Sequence, residues 1–180
     1  MKPSLNPPGR SFIAPAVLFL ALLLVLHSAG IGAEPVRDYT VAGHSIVPTL
    51  TPGIRIKVDA GYYENAPVER GDLVAIQLGP ETRHMVKRVI AIEGDEMVIR
   101  DGLLWLNCAL LYEPYIEAPR KLSAKATRLL ELQLNHYDQR IPEGHLIALG
   151  DNVNSSLDSG DFGFIAYEQV AGKVITVPAN

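Results

Sequence analysis

The sequence predicts a mostly β domain carried behind an apolar N-terminal segment. Three observations carry this: an apolar stretch without acids at the start, a series of short β-prone runs after it, and a single run with helical spacing. Residues 11–33 hold no Asp, Glu, Lys or Arg, and only Lys2 and Arg10 precede them. At about 1.5 Å per helical residue this length crosses a hydrocarbon core of about 30 Å. The reading is a cytoplasmic N-terminus over residues 1–10, a transmembrane anchor over 11–33 and an extracytoplasmic domain over 34–180. The basic flank holds the N-terminus inside. The dense apolar part, Phe12 to Leu26, and the small residues leading to Ala33 also fit a cleavable signal peptide, and both alternatives export the remainder.

That remainder carries 14 Lys+Arg against 20 Asp+Glu, a formal charge of -6. Phosphate neutralisation needs a basic face, so nucleic acid is not an expected partner. The chain is 48% hydrophobic and 20% charged, enough to bury a core. Cys108 is the one cysteine, which excludes an intramolecular disulfide and any cysteine-cluster metal site. Its plain reading is a small buried hydrophobe.

Strands are predicted at Arg37 to Ala42, Ile54 to Val58, Asp72 to Leu78, Met85 to Ile92, Met97 to Ile99, Leu103 to Leu106, His145 to Leu149 and Gln169 to Val177. Breaks at Thr51-Pro52-Gly53, Glu93-Gly94-Asp95 and Arg100-Asp101-Gly102 separate them, the last as a hairpin turn. In Leu122 to Asn135 the residues Leu122, Ala126, Leu129, Leu130 and Leu134 fall near helical spacing, which predicts an amphipathic helix lying on the β domain.

Three blocks carry candidate chemistry. In Val41-Ala-Gly-His-Ser-Ile-Val-Pro-Thr-Leu50 a strand ends at Gly43 and Ser45 sits on a turn fixed by Pro48. Such a serine presents its hydroxyl to a substrate, although Ser beside Gly and Pro usually makes only a turn. In His84 to Ile92, alternation sets Lys87 on a face with Met85 and Val89, and Arg88 on the other with Val86 and Ile90. Burial lowers a lysine from its usual pKa of about 10.4 and makes it a base near neutral pH. A snorkelling lysine with a solvated head is the alternative. The third block, Leu149-Gly-Asp-Asn-Val-Asn-Ser-Ser-Leu-Asp-Ser-Gly-Asp-Phe-Gly163, is a polar loop that brings Ser156 and Asp158 back towards such a site. A Ser/His/Asp triad through His44 is disfavoured, because neighbouring strand residues point to opposite faces. The spacing of His84, His136 and His145 suggests no metal site.

In this order the three blocks resemble the type I signal peptidase family, membrane-bound serine proteases with a Ser/Lys dyad. Arg70-Gly-Asp-Leu73, Lys87-Arg88 with Glu93-Gly-Asp95, Leu106-Asn107 with Glu113-Pro-Tyr115, and Ile141-Pro-Glu-Gly-His145 leading to Gly150-Asp-Asn152 are similar to its other boxes. Coverage runs from about Val41 to Lys173, with 117–139 as a poorly matching insertion. The resemblance implies a β-barrel or β-sheet catalytic domain with one short helix in that insertion, behind a transmembrane helix in the bacterial cytoplasmic membrane. It makes Ser45 the acylated nucleophile and Lys87 the general base. Ser156 would orient the Lys87 amine, Asp158 would support it with Arg88 as partner, and the Ser45 N–H would meet the oxyanion. Gly43 stands where some members carry a hydroxyl donor.

No cofactor or metal is implied, and the partners are the lipid bilayer and the signal peptides of exported preproteins, cut after small residues. Two residues depart from the pattern: Ile46 where Met is usual, and Gly160 where Arg is usual, two positions beyond the acid. Alternative readings are a relative dedicated to one substrate, such as a conjugative pilin precursor, and an inactive relative that binds exported chains. Self-cleaving cytoplasmic repressors share the dyad, but an exported domain argues against them.

Overall fold

The computed structural model describes residues 36–80, 83–112 and 118–176. The apolar segment 11–33 and the Glu113-Pro-Tyr115 box lie outside the described residues. Among the described residues no helix is long and apolar enough to cross a membrane.

Among the described residues the strands form two antiparallel sheets. Strands β1 (Val36–Thr40), β2 (Arg55–Asp59), β3 (Leu73–Ile76), β4 (Met85–Ile92), β8 (His145–Leu149), β9 (Ile165–Ala166) and β10 (Val170–Thr176) form a seven-stranded sheet in the order β1-β2-β10-β3-β4-β8-β9. Strands β5 (Met97–Arg100), β6 (Leu103–Leu106) and β7 (Ala109–Leu110) form a smaller one. Among the described residues β1 and β9 lie at the edges of the larger sheet.

The hairpin at Asp101-Gly102 forms as predicted: Arg100 faces Leu103, and both turn residues have positive φ, 53° and 75°. That pair of values matches the right-handed twist of the strands it joins. A second two-residue turn, Asn107-Cys108, has φ of 49° and 67° and adds β7, which was not predicted. Its sequence lacks the glycine that marks such a turn. Cys108 is exposed in this turn, so the expectation of a buried thiol is corrected.

The predicted helix is α2 (Ala124–His136); α1 (Tyr62–Asn65) and α3 (Ser159–Phe162) are single turns. Ser123 caps α2 by accepting from the Ala126 N–H, which satisfies one of its free donors. Ala126, Leu130 and Leu134 are buried in one cluster with Met97, Ile99 and Leu104 of the small sheet and Ile147 and Leu149 of β8. The segment following the small sheet is thereby clamped between that sheet and the strand that leads into the third block. Replacing Leu130, 0% exposed, with Ala is expected to cost about 2–5 kcal/mol in a denaturant melt. Leu132→Ala, at a residue 71% exposed, is expected to stay within about 0.5 kcal/mol.

Candidate active site

Ser45 lies in the turn between β1 and β2 rather than on a strand. The turn is closed by Val47 N–H donating to the His44 carbonyl and Leu50 N–H donating to the Ile46 carbonyl. Ile46 and Leu50 anchor it in a cluster with Ile56, Val58, Leu73 and Ala75. Ile46, one of the two departures in the motif, is therefore a buried anchor of the serine turn. Among the described residues the Ser45 N–H and hydroxyl make no hydrogen bond. His44 is exposed, and its carbonyl accepts from Asn152 Nδ2.

The predicted alternation holds in β4. Lys87 is 2% exposed and is buried along with Val89 and Ala91. Its register neighbour on β3 is Val74, which is fully buried. No hydrogen bond to its amine is made among the described residues. Burial pushes the Lys87 amine down from its ordinary value, with Asp158 and Asp161 opposing the shift electrostatically. A snorkelling lysine is thus excluded. Below the depressed folded-state pKa the fold bears the full cost of a buried ammonium. As pH rises towards the ordinary value of about 10.5 that cost disappears, because the unfolded chain is the state that holds the proton.

Ser45 and Lys87 line one groove of about 490 Å³, together with Val41, Gly43, Met85 and Val86. Among the described residues an ideal Cβ placed on Gly43 meets nothing within 4 Å. Sheet edge runs along the groove: β4 pairs with β8 only from Arg88 onward, so among the described residues the far side of Met85–Lys87 is unpaired in the ladder.

The third block reaches the same place through Gly150. Asn152 N–H donates to the Ser45 carbonyl at 3.0 Å. A methyl group on Gly150 would collide with that carbonyl and with Ser156 Oγ. Ser156 Oγ is buried and, among the described residues, has no hydrogen-bond partner. Asp158, 6% exposed, accepts from Gly150 N–H and Gly160 N–H, both at 2.9 Å, and caps α3.

The predicted pairing of Arg88 with Asp158 is corrected. Arg88 points to the opposite face from Lys87 and forms a bidentate pair with Asp151, at 2.8 and 2.7 Å. Thr49 donates to the same carboxylate, and Arg88 also donates to the Gly71 carbonyl. Asp151 thereby joins the end of the serine turn to β4 and to the third block. Sequence reasoning quoted it in a box but gave it no role; the signal available was an acid directly after a buried strand, beside a strand bearing arginine. Asp161 pairs with Lys125 at 2.6 Å, so the extra acid near the site is compensated from α2.

The second departure also has a local cause. A Cβ on Gly160 would stand 2.9 Å from the Ala126 Cβ and 3.2 Å from Asp158 Oδ1, so α2 occupies the space beside it.

A β-sheet domain that sets a half-buried turn serine and a buried lysine along one apolar groove has the makings of a hydrolase site. Comparison with known proteins gives the family. Residues 11–178 match the model of Signal peptidase, peptidase S26, and the chain belongs to that family. It is 33% identical over 139 residues to signal peptidase I of Bacillus caldolyticus, covering 76% of each chain. To signal peptidase IB of Staphylococcus aureus strain COL it is 32% identical over 168 residues, 90% of this chain and 84% of the other. A crystal structure of a signal peptidase I from Enterococcus faecalis V583 is similar over 62% of this chain and 98% of that one, at 26% identity and a TM-score of 0.43. The protein is a signal peptidase I-like serine endopeptidase.

Replacing Lys87 with Met removes a buried amine at nearly constant volume. At pH 7 the variant is expected to melt about 3 °C above the wild type in calorimetry, while losing activity.

Proposed function

We propose that this chain is a membrane-anchored endopeptidase that removes N-terminal signal peptides from exported preproteins, cutting after small residues. Ser45 is the nucleophile and Lys87 the general base. The observation that carries the reading is a lysine 2% exposed, with a lowered pKa, lining the same groove as a serine whose hydroxyl is uncommitted. The family match and the signal peptidase relatives supply the substrate class.

The neutral Lys87 amine takes the Ser45 proton as Oγ attacks the scissile carbonyl, and the Ser45 N–H stabilises the oxyanion. The resulting ammonium returns its proton to the leaving amine of the mature protein. An acyl-enzyme on Ser45 remains. Lys87 then takes a proton from water as it attacks the ester, and the ammonium returns that proton to the departing Ser45 Oγ, releasing the signal peptide with a free carboxyl group and restoring the serine and the neutral amine. Ser156 Oγ orients the amine, and Asp158 holds the loop that carries it.

The substrate binds as an extended strand, supported by the unpaired edge of Met85–Lys87 and by the apolar lining of the groove. Small residues before the cut fit a groove walled by Val41, Ala42, Ile46 and Val86. Residues 11–33 form the anchor, with residues 1–10 in the cytoplasm and 34–180 outside, in the bacterial cytoplasmic membrane.

The test is cleavage, by detergent-solubilised protein, of a preprotein with Ala one and three residues before the cut. Wild type is expected to cut at that bond. Ser45→Ala and Lys87→Ala are each expected to lose a factor of about 10³ or more in kcat while remaining folded. Full activity in either variant would remove the dyad, and a folded wild type inert on this substrate would remove general signal peptidase activity.

A further inference from the structure

The segment between the small sheet and α2 contributes a buried cation to the neighbourhood of the site. Arg120 is 5% exposed, and its Nη1 donates to the Gly150 carbonyl at 2.9 Å in a buried hydrogen bond. Its own backbone is fixed on both sides: Arg120 N–H donates to the Leu111 carbonyl, and its carbonyl accepts from Leu104 N–H. The small sheet therefore delivers the guanidinium at a set height. It shares a cavity of about 70 Å³ with Ser123, Ser156, Asp158 and Asp161.

Gly150 is the point at which these constraints meet. Its N–H is held by Asp158, its carbonyl by Arg120, and its Cα face rests against the Ser45 carbonyl and Ser156 Oγ. Moving Gly150 moves the serine turn and the Ser156 hydroxyl relative to each other. We infer that Arg120 is a positioning residue for the reaction: by holding the Gly150 carbonyl it sets the register of the Ser156–Asp158 loop against the Ser45 turn. The inference rests on the Ser45 and Lys87 reading given above. Arg120 lies in the segment that matches the family pattern poorly, yet it reaches the last box, where Gly160 leaves the position beside the acid without a side chain. The insertion is thereby built into the site instead of decorating it.

Such a residue acts on turnover and not on substrate affinity, because it touches neither the groove nor the peptide. In steady-state cleavage of the preprotein by full-length protein in detergent, Arg120→Gln is expected to lower kcat about tenfold, the size of one buried hydrogen bond lost, with KM within about twofold. Arg120→Lys keeps a charge and a donor but not the planar fork, and is expected to lose about threefold. Wild-type kcat in either folded variant, or a loss confined to KM, would overturn the role. Should Arg120→Gln fail to fold, Arg120→Lys is read alone by the same criteria. Ser45→Ala measured beside them separates the two readings. Activity surviving in Ser45→Ala overturns the site, whereas its loss there with wild-type kcat in Arg120→Gln overturns the role of Arg120 alone.

Discussion

A lysine amine kept out of water is the constraint on which the arrangement depends. An ammonium at the Lys87 position would be costly, since the residue is 2% exposed, shares its face with Val89 and lies opposite the fully buried Val74. The fold answers by leaving the amine neutral more readily instead of pairing it. Asp158 and Asp161 act against that tendency, but Asp158 spends its hydrogen bonds on Gly150 and Gly160 N–H groups, and Asp161 is paired with Lys125. Restrained in this way, the acids temper the shift without reversing it.

The other half of β4 does structural work of a different kind. Strand alternation sends Arg88 to the face opposite Lys87, where it grips Asp151 with two hydrogen bonds and reaches Gly71. Thr49 joins the same carboxylate. Two adjacent basic residues on one strand thus serve opposite ends: one is buried where its charged form is disfavoured, and the other pairs with Asp151 and fastens the serine turn to the sheet. Swapping their environments by a one-residue register slip would destroy both. The segment from Arg120 through α2 closes the remaining side, with Ala126 packed over Gly160 and Arg120 on the Gly150 carbonyl.

Much of this was legible from residue pattern. Strand β4 and the α2 helix follow directly from alternation and helical spacing, and the Asp101-Gly102 turn from residues that accept positive φ. Alternation placed Lys87 among apolar face-mates on β4 but left a snorkelling head open, which the observed burial closes. What escaped reading depends on contacts between distant segments. The partner of Arg88 is 63 residues away in sequence, and nothing local distinguishes Asp151 from Asp158 as its mate. The Asn107-Cys108 turn escaped because neither residue is glycine, although the strands it joins hold it at positive φ. Gly160 reads as a lost arginine in sequence; in space it is the clearance that lets α2 approach.

The central claim is that Lys87 is a neutral base at working pH because it is buried. The most direct measurement is the pH dependence of Ser45 acylation by a serine-directed probe in single-turnover mode. The account predicts a rate that rises with pH through an apparent pKa well below the ordinary lysine value of about 10.5, and that is lost in Lys87→Ala. A rise that tracks the ordinary lysine value, or a profile unchanged by Lys87→Ala, would contradict it.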